Sequence, residues 1–112
     1  MKKIIFLATL LIWIVSSTTL KADPAKKVNL TYQDGKLKIE ALHKVRNANK
    51  HYIDKITVKV NGKEVKLMTL DKQSSAASQV IEIDVPDLKK DDQIEVTTRC
   101  NEFGKKSAKL KL

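Results

Sequence analysis

Two histidines and one cysteine are the only strong soft-metal ligands in this chain of 112 residues. His43 and His51 bracket the segment His43-Lys44-Val45-Arg46-Asn47-Ala48-Asn49-Lys50-His51-Tyr52-Ile53, and Cys100 opens the turn Cys100-Asn101-Glu102-Phe103-Gly104 far downstream. All three stand at the ends of strand-like segments, and strand ends of a β-sandwich meet at one pole. Imidazole and thiolate together suit a transition metal much better than calcium or magnesium. His43, His51 and Cys100 are therefore candidate ligands of one metal. The plain alternative is a pair of solvated loop histidines and a buried thiol.

Other chemistries have thinner support. Ser74, Ser75 and Ser78 lack the glycine-flanked elbow that exposes a nucleophile, and no base is framed for a serine triad. A Cys100 nucleophile with His43 or His51 as base is chemically conceivable, but no spacing favours it. A blue-copper site needs a second histidine and a weak axial methionine. In that pattern both follow the cysteine, whereas Met68, the one methionine beyond Met1, precedes Cys100. Met68 reads as a flexible filler of core space. The acid pairs Asp84/Asp87 and Asp91/Asp92 fall in turns and read as solvated.

The elements that must position the three ligands are strands. Val28, Leu30 and Tyr32 alternate on one face, Leu37, Ile39 and Ala41 on the next, with the turn Gln33-Asp34-Gly35 between them. Ile56, Val58 and Val60 run up to Asn61-Gly62, the strongest short hairpin signal, and Val65 and Leu67 follow. Residues 71–78 form a polar loop. Ile81, Ile83 and Val85 make another strand; Ile94, Val96, Thr98 and Cys100 share one face of the next, and Ala108, Leu110 and Leu112 alternate in the last. These seven short strands, with turns every 8 to 12 residues or so, predict an all-β fold, an immunoglobulin-like sandwich or small barrel. No helical period, repeat or glycine-rich phosphate loop interrupts them.

Met1 to Ala22 reads as a cleaved signal peptide: Lys2 and Lys3 precede an apolar core, Ile4 to Val15, and Ala22 is a small residue at the cleavage point. The core is short for a bilayer span. The expected product is an exported domain, residues 23–112, periplasmic or secreted, with no membrane attachment after cleavage. Three of the 22 basic residues leave with the leader, so 19 face 13 acidic ones and the net charge is near +6. The lysines are dispersed and the aromatics few, which argues against nucleic acid. Such a field attracts small anions instead. A single cysteine provides no internal disulfide, so an exported domain of this size rests on its core, with a metal as the available staple.

His43, then His51-Tyr52-Ile53-Asp54-Lys55-Ile56, the Asn61-Gly62 hairpin and the late Cys100-Asn101-x-x-Gly104 resemble, in that order, the iron domain of the desulfoferrodoxin and neelaredoxin superoxide reductases. The resemblance implies a seven-stranded immunoglobulin-like domain that holds one iron through four imidazoles and an axial thiolate and reduces superoxide at an open position. A nearby lysine helps to attract the anion, and a redox partner, not named by the sequence, returns the electron. Carried over, His43 and His51 match two imidazoles and Cys100 the thiolate. Phe103 stands where the family's turn has a histidine, Lys44 where it has a proline, and the early histidine is replaced near Asp23 or Pro24. The resemblance thus implies a reduced His/Cys site for iron, zinc or copper, completed by water, Asp23 or a partner, and a weak superoxide reductase. The competing expectation is a non-catalytic immunoglobulin-like binding or carrier module that has lost the metal chemistry.

Overall fold

The computed structural model describes residues 22–112; the signal-peptide expectation for 1–22 lies almost wholly outside them. Seven strands follow one another: β1 (Lys27–Gln33), β2 (Lys36–Leu42), β3 (Ile53–Val60), β4 (Lys63–Thr69), β5 (Ser78–Asp84), β6 (Gln93–Cys100) and β7 (Lys105–Lys111). They form two antiparallel sheets, one of order β1-β2-β5 and one of order β4-β3-β6-β7. The all-β immunoglobulin-like sandwich expected from the alternation is the architecture observed.

Two hairpins are set by their turns. Asp34 and Gly35 have φ of 54° and 76°, and Asn61 and Gly62 have φ of 51° and 84°. Positive φ at both central residues gives the turn twist that matches paired strands, which explains Asp-Gly and Asn-Gly there. The core lies between the sheets. Leu37, Ile39 and Ala41 of β2 face Ile56 and Val58 of β3 and Ile94 and Val96 of β6, all with no exposed surface. At the sheet edge the Tyr32 hydroxyl donates to the carbonyl of Val85 at 2.7 Å, so its polar end is satisfied.

β4 departs from the alternation expected of it. Val65 and Leu67 are about half exposed, at 49% and 50%. The cause is a register shift in the β3–β4 pairing between Val58 and Lys59, which sets Lys66 opposite Val58 and Met68 opposite Ile56. A one-residue slip exchanges the faces of a strand. Met68 and Leu70 consequently pack on the core, and Val65 and Leu67 turn outward.

Candidate metal centre

The pole where β2 ends and β3 begins carries the candidate site. His43 is the first residue past β2, and its N–H donates to Ala77 O at 3.0 Å, continuing the β2–β5 pairing for one more residue. The loop then makes a tight turn at Asn47, whose carbonyl accepts the N–H groups of Lys50 and His51 and whose side chain accepts that of Asn49. This turn returns the chain to the other sheet with His51 just before β3. Cys100 ends β6 directly opposite Ile53, the first residue of β3. Asn101 locks the arrangement: its amide N–H donates to Tyr52 O at 3.0 Å, its side-chain oxygen accepts from Tyr52 N at 3.0 Å, and its side-chain nitrogen donates to Lys50 O at 2.9 Å. One sheet thus presents His43, and the other presents His51 and Cys100.

The structure brings the three together and adds a fourth. The ligand atoms of Asp23, His43, His51 and Cys100 all lie within 4.8 Å of one another. Bonds of about 2.0–2.3 Å to one metal would put opposite ligands up to about 4.6 Å apart, so the cluster needs only slight contraction to close on an ion. His43 and Cys100 are each 2% exposed. The two imidazole rings meet edge to face, with centroids 4.9 Å apart and planes at 88°.

Asp23 reaches the cluster on a short strap. Its N–H donates to Phe103 O at 2.8 Å, its carbonyl lies 2.9 Å from His43 Nε2, and its carboxylate Oδ2 lies 2.8 Å from His51 Nε2. Pro24 lies so close to Gly104 that a β-carbon there would stand 2.7 Å from Pro24 Cδ, and Gly104 has φ of 103°. Glycine is required at that position on both counts. Phe103 contributes its carbonyl; its side chain is 54% exposed, on the wall of a cleft with Asp54, Arg99 and Cys100. Arg99 and Asp54 form a two-bond pair there, at 3.0 and 2.9 Å. The Asp54 carboxylate, first by hydrogen bonding and then by charge, raises the pKa of Arg99 above its usual value.

One contact decides what the cluster is suited to. The 2.8 Å approach of Asp23 Oδ2 to His51 Nε2 lies off the line along which that nitrogen would donate, so the nitrogen is buried with no hydrogen-bond partner among the described residues. A carboxylate and an imidazole this close without a hydrogen bond between them, in a group of four ligand atoms, are suited to share a third body. The donor set, one carboxylate, two imidazoles and one thiolate, is a transition-metal set. Around it, the N–H of Glu102 donates to Cys100 Sγ at 3.4 Å. Outside His51, a shallow pocket of about 490 Å³ is lined by Lys44, Arg46, Asn47, Lys50 and Glu102.

Sequence reasoning did not find Gln73. It lies in the polar loop after β4, 5% exposed, with Oε1 2.7 Å from His43 Nδ1. No periodicity or spacing distinguishes it from the other polar residues of that loop.

A solved superoxide reductase shares this fold. A superoxide reductase (1Fe-SOR) from Giardia intestinalis matches with a TM-score of 0.59 at 16% identity, over 82% of this chain and 99% of that one. A superoxide reductase from Nanoarchaeum equitans gives 0.49 at 12% identity, over 86% and 98%. No protein-family model matches the chain, and no curated protein does. The first likeness establishes that this chain has the fold of a superoxide reductase.

Proposed function

We propose that the protein is an exported, superoxide-reductase-like metalloprotein in which Asp23, His43, His51 and Cys100 hold a single iron. The observation that carries this reading is the off-axis 2.8 Å approach of Asp23 Oδ2 to the otherwise unpartnered His51 Nε2, inside a group of four ligand atoms. Zinc and copper suit the same donor set, and the shared fold favours iron.

A ferrous ion held by Asp23, His43, His51 and Cys100 would supply the one electron that, with two protons from solvent, takes superoxide to hydrogen peroxide. The chain's own residues do the rest. Cys100, whose sulfur accepts the Glu102 N–H at 3.4 Å, would donate electron density to the metal. Asp23 stands in a position that the related family fills with imidazole, and its charge favours the oxidised metal over the reduced one. Lys44, Arg46 and Lys50 rim the pocket outside His51 and draw a small anion toward the exposed side of the site. The buried His43 side closes the centre to water. Re-reduction falls to a partner outside the chain.

Rapid mixing of the ferrous protein with superoxide tests the reading. The expected result is oxidation of the protein with one hydrogen peroxide formed per iron and no dioxygen released. Ferrous protein that survives repeated additions of superoxide unchanged would exclude the activity.

A further inference from the structure

Gln73 makes four side-chain hydrogen bonds in a space with almost no solvent. Its Nε2 donates to His43 O at 2.7 Å and to Ser75 O at 2.9 Å. Its Oε1 accepts from Ile53 N at 3.2 Å and lies 2.7 Å from His43 Nδ1. These partners fix which end of the amide is which. A flipped amide would set its oxygen against two carbonyls and its nitrogen against the N–H of Ile53, leaving three of the four contacts unmatched. The side chain therefore ties the end of β2, the start of β3 and the loop before β5 at one point, and its oxygen can only accept.

An oxygen that can only accept makes His43 Nδ1 the nitrogen that donates. Nε2 faces Asp23, 2.9 Å from its carbonyl, which also only accepts, and 3.8 Å from its carboxylate. A proton on Nε2 would donate to that carbonyl, and Nε2 is the nitrogen whose lone pair a metal would take by displacing that proton, because Nδ1 is enclosed by the buried amide. We propose that Gln73 is the positioning residue of the centre: its amide keeps the His43 proton on Nδ1, holds the ring plane, and so reserves Nε2 for a divalent metal. This rests on the metal site proposed above. His51 has no comparable partner. Its Nδ1 stands 3.8 Å from Glu102 Oε2, beyond hydrogen-bond reach. The two imidazoles thus differ, one fixed by a buried amide and one adjustable at the solvent side.

Cobalt(II) binding to the untagged protein tests this, with a competing chelator for affinity and proton NMR for the ring N–H groups. In wild type, the cobalt-shifted spectrum should contain one slowly exchanging ring N–H, that of the buried His43, while that of His51 exchanges fast. Gln73→Met, similar in volume but unable to accept, should weaken cobalt binding by about 10- to 100-fold and lose the protected resonance. Gln73→Glu retains the acceptor and should bind at least as tightly as wild type, with the resonance shifted but still protected. Equal weakening in both variants, or unchanged binding and an unchanged resonance in Gln73→Met, would show a mere strut and overturn the proposal. If Gln73→Met fails to fold, judged by thermal unfolding without metal, Gln73→Glu decides: an unmoved His43 resonance overturns the assignment. Wild-type protein that binds no cobalt overturns the metal site itself, and this inference with it.

Discussion

His51 Nε2 lies 2.8 Å from Asp23 Oδ2 and does not donate a hydrogen bond to it. Two polar atoms that close and misaligned are unfavourable unless something binds between or beside them. A cation that accepts electron pairs from both removes the conflict. Such a cation would link the strap carrying Asp23 to the turn after Cys100.

Removal of the Asp23 carboxylate should weaken the metal without harming the fold. Asp23 is half exposed on its side chain, at 50%, so Asp23→Asn should leave the metal-free melting temperature close to wild type. Metal affinity should fall by about tenfold or more, at least the loss seen for residues that merely support a ligand. Competition with a chelator measures it.

Gly104→Ala should damage the same contact through the backbone. A side chain at φ of 103°, with Pro24 Cδ 2.7 Å from its β-carbon, costs about 1–3 kcal/mol for the conformation alone. The strap has to lift to make room. Both the melting temperature and the metal affinity should drop, in contrast to Asp23→Asn, which should lower affinity only.

The register of β4 is open to a paired comparison. Ile56→Ala removes a side chain with no exposed surface and should cost about 2–5 kcal/mol in urea unfolding. Leu67→Thr, on the outward face next to the shifted pairing, should stay within about 0.5 kcal/mol of wild type. A loss at Leu67 comparable to that at Ile56 would mean that β4 is turned the other way.

Asp92 provides a pH signature. Its carboxylate accepts from Lys89 N at 2.7 Å and from Asn61 Nδ2 at 3.0 Å, and the Lys89 N–H first, then the Asn61 amide, hold its pKa below the ordinary value. A depressed pKa stabilises the fold above the unfolded value, about 3.9 for aspartate, and that stabilisation disappears as the pH falls through the folded one. Asp92→Ala should therefore be less stable than wild type at pH 7, with the difference shrinking steadily below about pH 4. Urea midpoints across that range check it.

Much of the scaffold could be read from side-chain alternation and from Asp34-Gly35 and Asn61-Gly62, because period-2 patterning and positive-φ turns are local physics. The faces of β4 could not. Val65 and Leu67 look like core residues in isolation, and only the register shift beside Val58 turns them outward. His43, His51 and Cys100 stood out by scarcity, and their meeting follows from strand ends sharing one pole. Asp23 was weighed as a completing ligand on its position in the family pattern, but the strap that carries it depends on Pro24 seated against Gly104, a contact across 80 residues that no local pattern encodes. Gln73 was invisible for a related reason: its value comes from four partners gathered from three segments of the chain.

Metal analysis of the untagged protein, purified from its exported fraction without added metal, tests the central claim most directly. The account predicts a protein that begins near Asp23 and holds one equivalent of iron per chain, reduced to a small fraction in Cys100→Ser. A wild-type protein that carries no transition metal, or a Cys100→Ser variant that carries as much as wild type, would contradict it and leave an immunoglobulin-like module without metal chemistry.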